Sequence, residues 1–210
     1  MTEFSEAVIS GDSEKVKSLV QDALDKGASA EEIIESGLVA GMDVVGERFK
    51  SNEMYIPEVM VAARAMHAGL DILKPLLTES EMSKKGTIVI GTVKGDVHDI
   101  GKNLVAMMLE GAGFVVHDLG IDVPKEKFLE AARAHCADVI AVSSLLTTTM
   151  DSMAEVVQTV KTSDNNPGVM VIIGGAPISQ EFADEIGADG YGENAGVGVD
   201  IIKKWLEDRK

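Results

Sequence analysis

The stretch Val93-Lys94-Gly95-Asp96-Val97-His98-Asp99-Ile100-Gly101-Lys102-Asn103 holds the residues best suited to metal chemistry. A histidine that binds a metal through one ring nitrogen needs its other nitrogen held. A carboxylate two residues away can accept that second N–H, which selects the tautomer and makes the imidazole a better ligand. Asp96 and His98 stand at that spacing. Gly101 would let the next helix begin close to a bulky ligand. Taken alone, such a pair more often marks a capped loop whose histidine only hydrogen-bonds locally. Further on lie Ser143-Ser144-Leu145-Leu146-Thr147-Thr148-Thr149 and Gly174-Gly175-Ala176. One hydroxyl of the first stretch serves to cap a helix, but seven residues cannot all be caps. The glycines fit a tight turn into Pro177, or a slot that no side chain fills.

These residues share an edge only if the chain folds as alternating strands and helices. From Thr87 onward that rhythm is present. Strands are expected at Thr87–Gly91, Phe114–Asp118, Asp138–Ser143, Val169–Ile173 and, weakly, Gly190–Tyr191. Helices are expected near 100–112, 124–135, 150–162, 179–186 and 195–207. Unbroken apolar runs such as Val139-Ile140-Ala141-Val142 suit strands buried on both faces of a parallel sheet. The result is a doubly wound, five-stranded α/β domain of flavodoxin or Rossmann type, which holds ligands beyond the C-terminal ends of its strands. Each chemical motif above follows a strand. Residues 1–80 carry helix signals instead. Asp12 caps a helix ending at Gly27, Ser29 and Glu32 form a capping box, and Pro57 opens a helix over 57–77. Met60, Val61, Met66, Leu70, Leu73 and Leu77 recur at mostly helical spacing. A four-helix bundle over residues 1–85, a linker at Lys84-Lys85-Gly86 and an α/β domain over 86–210 follow.

With 210 residues and a net charge of −16, the chain is large enough for two such domains and is repelled by nucleic acid and anionic lipid. Its longest apolar runs are too short for a bilayer, and its first residues lack a signal peptide's pattern. A cytoplasmic protein without nucleic-acid or membrane partners is expected. Cys136 stands alone, which excludes a disulfide framework and a cysteine zinc site, and is expected to be a buried thiol. His67, His117 and His135 have no acidic or histidine partner at ligand spacing and are taken as surface or core residues.

In combination, Asp96-x-His98-x-x-Gly101, Ser143-x-Leu145 and Gly174-Gly175 resemble the signature of cobalamin-binding domains that hold the corrinoid base-off and His-on. Gly41-Met42-Asp43-Val44-Val45-Gly46-Glu47-Arg48-Phe49 and Tyr55-Ile56-Pro57-Glu58-Val59 resemble the helical cap of methionine synthase and of the small corrinoid proteins of methyltransferase systems. The resemblance spans about residues 5 to 205. It implies that His98 is the lower ligand of cobalt and Asp96 its hydrogen-bond partner, with Thr149 continuing the relay where methionine synthase has a serine. It places Ser143, Leu145, Gly174 and Gly175 along the slot for the displaced nucleotide tail, and Phe49, Ile56 and Val59 over the upper, methyl-bearing face. Gly95, Val97, Asp99, Ile100, Gly101, Thr147 and Tyr191 complete the implied contact set. The implied function is a methyl carrier rather than a complete enzyme, with methylcobalamin as its working form. It would pass a methyl group from a substrate-specific methyltransferase to a second methyltransferase acting on a folate or thiol, with a reductive reactivation protein as a further partner. The donor stays open among methanol, methylamines, quaternary amines and methoxylated aromatics. A small subunit of an adenosylcobalamin-dependent mutase and a cobalamin-dependent sensor use the same lower-ligand motif. The N-terminal cap counts against the first. At most ~30 residues precede the cap, too few for a typical DNA-binding domain, which counts against the second.

Overall fold

The computed structural model describes residues 3–77, 85–163 and 168–209. Lys84 of the expected linker lies outside them. The chain divides into two compact units, one of Met1–Lys85 with Met107–Phe114, the other of Gly86–Ala106 with Val115–Lys210.

Among the described residues before Lys85, the first unit holds four helical rods. They are α1 (Glu3–Ser10), α2 (Ser13–Asp25), a continuous rod of α3 (Ala30–Ile33), a π-helical turn (Ile34–Val39) and α4 (Ala40–Lys50), and finally α5 (Ile56–Leu73). A 3-10 turn, Lys74–Leu76, extends α5 to the length that its apolar spacing predicts. Asp12 accepts the Lys15 N–H at 3.0 Å, and Ser29 accepts that of Glu32 at 3.2 Å, which is the serine half of the expected capping box. The Glu58 carboxylate takes the Tyr55 N–H at 2.8 Å at the start of α5, with Pro57 in its first turn. Gly69 lets α5 approach its neighbours closely, since a Cβ there would lie 2.9 Å from Val16 Cγ1. Val8, Val16, Leu38, Val45, Met66 and Leu73 fill the interior.

The second unit is a parallel sheet flanked by helices. Its elements are β1 (Thr87–Thr92), α6 (Ile100–Gly111, of which only the part up to Ala106 belongs to this unit), β2 (Val115–Asp118), α7 (Lys125–Ala134), β3 (Val139–Ser143), a 3-10 turn (Thr147–Thr149), α8 (Met150–Lys161), β4 (Met170–Gly174), α9 (Gln180–Ile186), β5 (Gly190–Gly192) and α10 (Ala195–Glu207). All five strands and all five helices lie within one or two residues of expectation. The strand order is β2-β1-β3-β4-β5 and every pairing is parallel. One face of the sheet packs Val89, Ile140, Val142, Val171 and Ile173 against Phe128, Met153, Val156 and Val160. The order reverses at β1, between β2 and β3, where such sheets open a ligand crevice. Register then decides what lines it. Thr92 pairs with Ser143, Ser143 with Gly174, and Gly174 with Gly192, so the three predicted motifs leave the sheet from a single row.

Candidate functional site

The β1 loop is held from both sides before any ligand is considered. Thr92 Oγ1 donates to the His98 carbonyl at 2.9 Å, and Gly95, at φ +85°, donates its N–H to Asp122 Oδ1 at 2.7 Å. The Asp122 N–H returns a bond to the Asp96 carbonyl at 3.0 Å. Lys102, enclosed in the first turn of α6, pairs with Asp118 at the end of β2 and with Asn103 Oδ1 at 2.6 Å. Asp99 accepts the Asn103 N–H on its carbonyl at 2.7 Å and the Asn103 amide on its carboxylate at 3.1 Å, which starts α6.

Asp96 is fully buried, yet every bond its carboxylate makes is from a donor. Its Oδ1 accepts the His98 ring Nδ1 at 2.8 Å and the His98 backbone N–H at 3.1 Å. Its Oδ2 accepts the N–H of Leu145 at 2.7 Å and of Leu146 at 3.3 Å, together with the Thr149 hydroxyl at 3.1 Å. Burial by itself would raise the Asp96 pKa. The Leu145, His98 and Leu146 N–H groups and the His98 ring outweigh it and hold the carboxyl well below its usual 3.8. An ionised carboxylate on Nδ1 keeps the proton there. The lone pair of His98 is thereby left on Nε2, which takes no hydrogen bond among the described residues, on a ring 48% exposed. That is the state a metal ligand needs.

The surroundings of Nε2 are apolar and open. Among its described residues, the second unit has five exposed large hydrophobic ones: Val97, Ile100, Ile121, Leu145 and Leu146. Val97 and Ile100 flank His98, the N–H groups of Leu145 and Leu146 bind Asp96, and Ile121 precedes Asp122. Exposed apolar side chains gathered around one imidazole mark a surface that a large, partly apolar ligand covers. A Cβ on Gly101 would meet nothing within 4 Å, so no internal packing demands glycine there. Ser143 is half-buried and Thr147 exposed at the same edge. Tyr191 bonds the Ile178 carbonyl at 2.8 Å and so ties β5 to the loop after β4.

Some expectations change. A slot for a nucleotide tail needs Gly175 bare so that the tail can pass. Here its φ is +138° and a Cβ would fall 1.7 Å from the Ser144 carbonyl oxygen, so the loop itself requires glycine. Gly174 is tight for a similar reason, with a Cβ 3.1 Å from the Gly192 carbonyl oxygen. Phe49, Ile56 and Val59 do not form one exposed apolar face. Ile56 is exposed and Phe49 half-buried, but Val59, one turn into α5, is 0% exposed and offers no open surface. Cys136 is exposed rather than buried, in a left-handed turn at φ 47°. The remaining histidines do have partners, which only the fold brings near. His67 Nε2 lies 3.0 Å from Glu110, and the His117 and His135 rings stack at 3.6 Å. Neither pair belongs to a group of three or more metal-ligating side chains among the described residues. Sequence reasoning missed Ser144, Asp122 and the Leu145 and Leu146 N–H groups. Only strand register could have separated Ser144 from Ser143.

A parallel doubly wound domain whose switch-point loop presents a carboxylate-oriented imidazole beside exposed apolar residues defines the class as an α/β ligand-binding domain. Comparison with known families narrows the class. The B12 binding domain matches residues 86–200, and a second B12 binding domain family matches residues 1–74. The chain belongs to the cobalamin-binding corrinoid proteins. It is 44% identical to a corrinoid protein of Desulfitobacterium hafniense (strain Y51), over 98% of this chain and 97% of that one. It is 47% identical to dimethylamine corrinoid protein 1 of Methanosarcina acetivorans, with the same coverage of 98% and 97%. Among solved structures, the methanol:cobalamin methyltransferase complex MtaBC of Methanosarcina barkeri matches with a TM-score of 0.87 at 31% identity, covering 97% of this chain and 78% of that one. Among the described residues, no helix is long and apolar enough to cross a membrane.

Proposed function

We propose that this protein is a corrinoid methyl carrier. The observation that carries the reading is the Asp96–His98 pair, with Nδ1 held at 2.8 Å and Nε2 free beneath an apolar opening. Cobalamin, when bound, supplies a cobalt centre that accepts a methyl group and gives it up again. The chain's own work is to bind and orient that centre. His98 Nε2 would ligate the cobalt, Asp96 keeps the ring in the ligating tautomer, and Thr149 with the Leu145 and Leu146 N–H groups keeps Asp96 ionised. Val97, Ile100, Leu145 and Gly101 border the corrin, while Ser143, Thr147 and Gly174 line the path of the nucleotide tail. Residues 1–85 are the cap and 86–210 the cofactor domain. Phe49 and Ile56 are the residues of the cap that would face the cofactor and exclude water from it.

A substrate-specific methyltransferase and a second methyltransferase are the partners, with a reductive protein to restore the active state. Relatives named for dimethylamine, and the structural match to a methanol methyltransferase complex, support small methylated amines or alcohols as the source. The partner sets that choice. Reconstitution with hydroxocobalamin tests the ligand: the cobalt(II) EPR spectrum should show nitrogen superhyperfine splitting that His98→Ala abolishes, while the tail stays bound. Splitting that survives in His98→Ala refutes the assignment. Mixing the reduced holoprotein with candidate methyltransferases and their methylated substrates tests the carrier role, read as loss of the cobalt(I) absorbance. A mutase subunit would give no methylation with any of them.

A further inference from the structure

Asp96 Oδ2 stands at the end of two buried hydroxyls in series. Thr149 Oγ1 is 3.1 Å from it, and Ser144 Oγ is 2.8 Å from Thr149 Oγ1. Each hydroxyl has one proton to give. Thr149 has three oxygens in reach: Ser144 Oγ at 2.8 Å, the Leu146 carbonyl at 2.9 Å and Asp96 Oδ2 at 3.1 Å. It could therefore satisfy itself on Leu146 and leave the carboxylate one donor short. Ser144 decides between these. Its own proton is nearest to Thr149 Oγ1, with the Leu146 carbonyl at 3.3 Å and Asp96 Oδ2 at 3.5 Å. When Ser144 donates to Thr149, that oxygen becomes an acceptor and its O–H a stronger donor toward the charged carboxylate. Ser144 and Thr149 are 0% and 6% exposed, so bulk water does not compete for these bonds.

We infer that Ser144 is a positioning residue for the His98 ligand: its hydroxyl directs the Thr149 proton onto Asp96 and so moderates the carboxylate's pull on the His98 Nδ1 proton. The inference rests on the corrinoid reading of the site. It carries a sign. Without the Ser144 hydroxyl, Thr149 turns to Leu146 and Asp96 Oδ2 loses a donor. The carboxylate then binds the Nδ1 proton more tightly, and Nε2 becomes the stronger donor to a metal. A stronger axial donor favours the higher oxidation state, so the cobalt(II)/cobalt(I) midpoint should move to more negative potential. A merely structural role predicts the reverse, because a loosened loop weakens His98 coordination.

Two measurements on Ser144→Ala, Thr149→Val and the double variant test this, with urea unfolding as the check on folding. In the protein without cobalamin, the NMR signal of the His98 Nδ1 proton should move downfield in Ser144→Ala. In the reconstituted protein, the midpoint should move negative. Both shifts should vanish when Ser144→Ala is added to Thr149→Val, because Ser144 acts through Thr149. Ser144→Cys, of similar size but a weaker donor, should shift both in the same direction by less, and serves if the alanine variant does not fold. A positive shift of the midpoint, no shift in either measurement, or additive effects in the double variant would overturn the inference. A wild-type holoprotein without nitrogen splitting would instead overturn the corrinoid-ligand reading, and the NMR arm would still report on Ser144.

Discussion

Asp96→Asn replaces one carboxylate oxygen by NH2 and should be felt in both stability and ligation. The amide must put its NH2 on one side of the former carboxylate. On the Oδ2 side it would face the N–H groups of Leu145 at 2.7 Å and Leu146 at 3.3 Å, donors fixed by the backbone. On the Oδ1 side it would face the His98 backbone N–H at 3.1 Å and the ring nitrogen at 2.8 Å. The ring can adapt by moving its proton to Nε2, whereas the backbone cannot. The amide therefore turns its NH2 toward His98, which leaves one buried donor unpaired and puts the histidine in the tautomer that cannot bind a metal. An unpaired buried donor costs about 1–3 kcal/mol, and bonds to a charged acceptor exceed neutral ones by about 1 kcal/mol each. Relief from burying a charge offsets part of this, so a net loss of about 2–4 kcal/mol is expected. With a urea dependence of about 2 kcal/mol per molar, the unfolding midpoint should fall by about 1–2 M. Nitrogen splitting in the cobalt(II) spectrum should be lost in the same variant. The acid limb supplies the sign. Asp96 is held below its ordinary 3.8, so its contribution is complete above that value and is lost only as pH falls through the lower value of the folded state. The wild type's advantage over Asp96→Asn should thus persist at pH 5 and shrink only in stronger acid. A midpoint within about 0.3 M of wild type, with the splitting intact, would refute the reasoning.

Three other outcomes are expected. Gly175→Ala should cost about 1–3 kcal/mol, from a left-handed backbone and the collision with Ser144, and should lower cobalamin affinity by moving the Asp96 donors. Wild-type stability with reduced affinity would favour a clash with the nucleotide tail instead. The His117 pKa is lowered from 6.5, by burial first and by the His135 charge second, so its contribution to stability is complete above 6.5 and is lost as pH falls below it. Urea midpoints measured from pH 7.5 to 5 should fall less steeply in His117→Phe than in wild type, and parallel curves would exclude the effect. Val59→Ala should cost about 1–3 kcal/mol while Ile56→Ala stays within about 0.5 kcal/mol. Photolysis of the methylated holoprotein should quicken with Ile56→Ala, and equal stability losses in the two variants would refute the assignment of Ile56 to an open face.

The linear order of residues determined the alternation of elements, because an apolar run of strand length, a cap and a helical repeat are each local signals. It also carried the Asp96–His98 pair, since two residues of extended loop suffice to bring a carboxylate to an imidazole nitrogen. Other features join residues far apart in the chain, and no local spacing could reveal them. Parallel register aligns Thr92, Ser143 and Gly174 in one row, and that alignment turns the Ser144 side chain toward Asp96 rather than the Ser143 one. It also brings the Leu145 N–H to the carboxylate and the Ser144 carbonyl against Gly175. Likewise, Val59 and Ile56 are equally apolar and both lie at the start of α5, yet one is enclosed and the other exposed. A helix turns about 100° per residue, so residues three apart lie within about 60° of one another on nearly the same face, and their spacing cannot tell them apart. Which side is interior is decided by the neighbouring rods, not by the residue.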